Sequence, residues 1–100
     1  MDVTYRIDKD ILYIAVEGRV DASNAADAEK KILEIKHANS GKHVVLDADN
    51  LEYISSAGLR VILKAQKLMN RKGTLKLTHV NETVMEVLDI TGFSDILTIE

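Results

Sequence analysis

The chain has 100 residues, 46% of them hydrophobic, and no cysteine, so one core can close without disulfides, and neither a thiolate nucleophile nor a cysteine metal site is available. A formal net charge of -3 and only four aromatic residues, three Tyr and one Phe, argue against a general nucleic-acid binder, which needs a basic face. No apolar run approaches the roughly 20 residues that span a bilayer, and Met1-Asp2-Val3-Thr4 opens as a strand rather than a signal peptide, so a cytoplasmic protein without a membrane partner is expected.

Val3, Tyr5 and Ile7 alternate with polar residues, the chain turns at Asp8-Lys9-Asp10, and residues 11–16 resume as a strand, which reads as an antiparallel hairpin. After Gly18-Arg19-Val20-Asp21, the cluster Ala22-Ser23-Asn24 predicts a helix cap. Ala25, Ala28, Ile32 and Ile35 follow at helical spacing, with Asp27 in the first turn and an end near Asn39-Ser40-Gly41. Residues 43–48 form a short, almost continuous apolar run, expected as a central strand covered on both faces. From 57 to about 72, Leu59, Ile62, Leu63 and Met69 share one stripe flanked by Val61, Ala65 and Leu68, and Arg71-Lys72-Gly73 predicts the end of that helix. Residues 74–78 alternate as a strand, and Asn81 caps a helix that uses Val84, Val87 and Leu88. Gly92-Phe93 is a glycine stop with a hydrophobic contact, and residues 96–99 close the chain as a strand. The expected order is β-β-α-β-α-β-α-β, an α/β fold with a mixed sheet and its helices packed on it, in a single domain over residues 1–100.

The segment from Leu51 to Leu63 places Ser55, Ser56 and Gly58 where a loop becomes a helix. The first amides of a helix have no internal partner and lie at the positive end of its dipole, so a phosphoryl group on a serine there meets donors already in place. Gly58, without a Cβ, lets another backbone or a partner's loop come close. Taken from the residues alone, Ser56 is first an N-cap, and Asp21 divides evenly between cap chemistry and a partner-facing role. Arg19 and Arg60 read as solvated surface beside loops. Asp47 and Asp49 follow a strand as turn residues, and His37, His43 and His79 lack zinc-ligand spacing, so no metal is expected. Neither a G-x-S-x-G setting nor a phosphate-binding lysine loop occurs, which disfavours a serine enzyme and a nucleotide cofactor.

The element order and the segment Leu51 to Leu63 together resemble the STAS domain, the fold shared by bacterial anti-sigma-factor antagonists and the cytoplasmic tails of sulfate transporters. The resemblance covers nearly the whole chain. In the antagonists an aspartate, a phosphorylatable serine, a serine or threonine, a glycine and a leucine precede the second helix. Those places fall on Ser55, Ser56, Ala57, Gly58 and Leu59, with Ser55 in place of the aspartate and Ala57 in place of the second hydroxyl. Gly18-Arg19-Val20-Asp21 is similar to the family's glycine-x-leucine/valine-aspartate stretch before the first helix. The resemblance implies a non-enzymatic partner switch without a cofactor. Unmodified, such a protein binds an anti-sigma factor that is also a serine kinase and so frees the sigma factor; phosphorylation, here on Ser56, ends the binding, and a serine phosphatase restores it. The implied partner surface comprises Asp21, Ser23, Ser55, Ser56, Ala57, Gly58 and Arg60. The alternative is a STAS scaffold or docking subunit of a transporter or signalling assembly, unphosphorylated, which Ser55 in the aspartate's place favours.

Overall fold

Period-two burial organises the first hairpin. In the computed structural model, which describes residues 1–39, 43–69 and 75–100, β1 (Asp2–Asp8) pairs antiparallel with β2 (Ile11–Val20). Leu12, Ile14, Val16 and Val20 of β2 point into the core, while Tyr13 and Ala15 between them are half-buried on the other face. β2 then serves two parallel partners in succession. Its residues Ile11 to Ala15 pair with β3 (His43–Asp47), and Gly18 to Val20 pair with β4 (Leu51–Ile54). β5 (Leu75–Thr78) pairs parallel with β3, giving the order β1-β2-β3-β5 with β4 beside β2.

The β2–β4 register breaks once. Gly18 faces Leu51 but Arg19 faces Tyr53, leaving Glu52 over as a bulge, and Gly18 sits there at φ 87°, a conformation open chiefly to glycine.

Among the described residues, three α-helices close the core. α1 (Ala25–Ala38) contributes Ala25, Ala28 and Ile32, α2 (Ser56–Met69) contributes Leu59, Val61, Ile62 and Ala65, and α3 (Glu82–Thr91) contributes Val84 and Leu88. These join Leu12, Ile14, Leu46, Leu51, Ile54 and Leu77 in one cluster. At the surface, Lys64 of α2 reaches Glu29 of α1 at 2.7 Å. Asn81 caps α3 through Oδ1, which accepts from the Val84 N–H at 2.8 Å, and its Nδ2 donates to the Leu51 carbonyl at 2.7 Å, tying α3 to β4. Gly92 ends α3 at φ 79°, and Phe93 packs against the core beside it, opening a 3-10 turn (Phe93–Asp95). Among the described residues no helix is long and apolar enough to cross a membrane.

The mixed α/β class matches the expectation, but the observed order is β-β-α-β-β-α-β-α. β4 is an additional strand where the sequence reads as loop, because its four residues bury only Leu51 and Ile54 and show no full period. The expected closing strand reduces to one bridge between Leu77 and Ile99. The chain leaves the 3-10 turn and meets the β5 edge only at its last residues, with Leu77 N–H donating to Thr98 O and Glu100 N–H to Leu77 O, both at 2.9 Å. β3 is not covered on both faces: Val44 and Leu46 are buried, Val45 and Asp47 half-buried and His43 exposed. Ser40-Gly41, Arg71-Lys72-Gly73 and Thr74, expected as helix ends and a strand start, lie outside the described residues.

Candidate functional site

β2 and β4 run parallel and end together, so the loops that follow them share one end of the sheet. Val20 pairs with Ile54, and one residue further the Ser55 N–H donates to the Val20 carbonyl at 2.9 Å. That bond places the Asp21 loop beside the Ser55-Ser56 junction.

Within the first loop, Asp21 organises the chain. Its Oδ1 accepts from the Ser23 hydroxyl at 2.5 Å and from the Ser23 N–H at 2.9 Å, while the Asp21 N–H donates to Asn24 Oδ1 at 2.9 Å. The Asn24 amide in turn donates to the Arg19 carbonyl at 2.9 Å. Asn24 therefore occupies the cap position of α1 but spends its side chain on the loop behind it, and makes no side-chain cap bond. The Ser23 hydroxyl, then the Ser23 amide, hold the Asp21 carboxyl below its ordinary value against the opposing cost of desolvation, with the Arg19 charge adding to the lowering.

In the second loop the capping assignment moves by one residue. Ser55, not Ser56, is the N-cap of α2: its carbonyl accepts from the Leu59 N–H at 2.9 Å, and its Oγ accepts from the Gly58 N–H across a long 3.4 Å. Ser56 is the first helical residue, exposed, and among the described residues nothing engages its hydroxyl. No acidic residue stands in the first turn of α2, so the positive end of its dipole is not offset within the helix.

Of the expected surface residues, Ser23, Ser56 and Arg60 are exposed, and Asp21, Ser55 and Ala57 are half-buried. Gly58 is a correction. It is buried, and a Cβ built on it meets Ile54 Cγ1 at 2.6 Å and Val20 Cγ1 at 2.9 Å, so the close approach it permits is that of α2 onto β4 and β2, not that of a partner. Leu59, fully buried behind the loop, and Ile62 belong to the core. Asp47 accepts from the Asp49 N–H at 3.0 Å and lies 3.1 Å from His79 Nδ1, as turn chemistry at the ends of β3 and β5.

One feature beside the site escapes the sequence reading. Arg19 and Tyr53 are register partners across the bulge, and the Arg19 guanidinium lies 4.6 Å from the Tyr53 ring centroid. The pairing needs β4 to be recognised as a strand, which its length conceals.

Residues 2–100 match the family model described as STAS domain. The chain is 39% identical over 87 residues to BtrV of Bordetella bronchiseptica, covering 86% of this chain and 74% of that one. It is 33% identical to the anti-sigma-B factor antagonist of Listeria monocytogenes over 94 residues, covering 93% and 82% of the two chains. Among solved structures, a crystal structure from Thermotoga maritima superimposes with a TM-score of 0.84 at 25% identity, covering 97% of this chain and 84% of that one.

Proposed function

This chain belongs to the STAS domain, anti-sigma-factor antagonist family, and from that premise we propose that residues 1–100 act as one non-enzymatic, cytoplasmic domain that binds an anti-sigma factor and is switched off by phosphorylation of Ser56. The observation that carries the reading is the division of labour at the α2 N-terminus: Ser55 caps the helix, which leaves the Ser56 hydroxyl exposed and unengaged. A kinase can reach it without breaking a capping bond.

In the unmodified state the partner packs on Ser56, Ala57 and Arg60 together with the Asp21–Ser23 turn. Phosphorylation adds about -1.5 to -2 charges at neutral pH to a surface that must lose water on binding. The uncompensated N-terminus of α2 accommodates that charge within the chain, so the modification acts on association rather than on folding. The Asp21 carboxylate, held ionised by Ser23, keeps the neighbouring turn negative and opposes a second anion there. A serine phosphatase completes the cycle, and the nucleotide belongs to the kinase, so this chain needs no cofactor.

The test is intact mass after incubation with ATP and the anti-sigma kinase of the same genome, for wild type, Ser56→Ala and Ser55→Ala. One added phosphate that disappears only in Ser56→Ala, with weaker kinase binding by the modified form, supports the switch. Tight binding with no phosphate replaces it by a docking module of a transporter or signalling assembly, for which the neutral Ser55 cap in place of a carboxylate is the favouring feature.

A further inference from the structure

The Arg19–Tyr53 stack lies one residue away from both switch loops. Arg19 precedes Val20, whose carbonyl receives the Ser55 N–H, and Tyr53 precedes Ile54, the register partner of Val20. Both side chains leave the sheet on the face opposite the buried Val20 and Ile54. Arg19 is exposed and Tyr53 half-buried, and among the described residues the guanidinium makes no ion pair. The Asp21 carboxylate, close enough to feel the Arg19 charge, already accepts two bonds from Ser23.

We propose that this stack is an anchor of the partner interface, in which the Arg19 fork receives a carboxylate side chain of the partner protein. The inference rests on the proposed docking of an anti-sigma factor over the Asp21 and Ser56 loops. A guanidinium offers donors in a planar fork that fits a carboxylate with two parallel bonds, and the aromatic face holds that plane ready, so little side-chain freedom is lost on binding. Arginine and tyrosine are over-represented among residues that dominate interface energies, which matches a pair contiguous with loops already facing the partner. The bulge at Gly18 serves the same end: the register break sets Arg19 over Tyr53 rather than over Glu52, whose charge would otherwise occupy the fork.

The molecule carries its own control. Arg6 of β1 stacks on Tyr13 of β2 with the guanidinium 4.0 Å from the ring centroid, in the same chemistry, and Tyr13 lies six residues, or roughly 20 Å, from Arg19 along β2.

The experiment is calorimetric binding to the anti-sigma factor of the same genome at low and moderate salt, using wild type, Arg19→Ala, Arg19→Lys, Tyr53→Leu and Arg6→Ala, each with a thermal melt. Arg19→Ala is expected to weaken binding at least tenfold and to flatten its salt dependence. Arg19→Lys recovers only part of the loss because the planar fork is gone. Arg6→Ala binds as wild type does. If wild type binds and Arg19→Ala stays within twofold of it, the anchor is refuted while the docking reading stands; if Arg19→Ala and Arg6→Ala weaken binding alike, the stacks are merely structural. Wild type that fails to bind at all refutes the docking reading and the anchor with it.

Discussion

Ser55 donates its backbone N–H to the carbonyl of Val20 at 2.9 Å, and this bond extends the β2–β4 ladder one residue past the last paired side chains. It ties the two loops of the candidate site side by side, the start of α2 next to Asp21. Three expectations follow from how that arrangement is supported.

Gly58→Ala forces a methyl into Ile54 and Val20, with built distances of 2.6 and 2.9 Å. Overpacking of this kind costs about 1–3 kcal/mol. The expected readout is a lower denaturant midpoint with an unchanged m-value, together with loss of partner binding as α2 lifts from β4. Unchanged stability in this variant contradicts the packing role assigned to Gly58.

Asn81→Ala removes two bonds at once, the cap to Val84 and the tie to the Leu51 carbonyl. Loss of a helix cap costs about 0.5–2 kcal/mol, and the orphaned Leu51 carbonyl adds to it. Chemical denaturation should place the total near or above the upper end of that range. Asn81→Asp, which retains the acceptor and loses the Nδ2 donor, should fall between. If Asn81→Asp is as stable as wild type, the tie to β4 contributes nothing.

Asp21 titrates below its ordinary value because the Ser23 hydroxyl and amide bond to the ionised form. Since the folded value lies below the unfolded one, the ordering of the Asp21 turn is fully present above the usual aspartate range of about 4 and is lost as pH falls through the lower folded value. Ser23→Ala takes away the largest cause, so the Asp21 midpoint followed by carboxyl-carbon NMR should move up towards the ordinary value. A midpoint that stays put in Ser23→Ala removes the Ser23 hydroxyl as the leading cause.

Much of this architecture is legible in the residues. Alternation in β1 and β2 and in Leu75-Lys76-Leu77-Thr78, the helical stripes of α1 and α2, and the Asn81 and Gly92 punctuation all correspond to observed elements, because each carries a full period or a capping residue with one role. β4 is illegible for the opposite reason: Leu51-Glu52-Tyr53-Ile54 contains a bulge, so its two buried residues are three apart and mimic helical spacing. The sequence points to both loops but does not divide the work inside them. Ser55 and Ser56 are chemically identical, and only the helix entry decides which hydroxyl faces an amide and which faces water. Gly58 likewise looks open to a partner until the chain is folded around it.

At the end of α2 that begins with Ser56, inward and outward positions alternate within five residues: Gly58 and Leu59 are sealed inside, while Ser56 and Arg60 are outside. The surface letters at this end can therefore be exchanged with the folding code beneath left intact. Substitutions at Ser23, Ser56 and Arg60 thus rewrite the exterior of this end while leaving the residues sealed beneath it untouched.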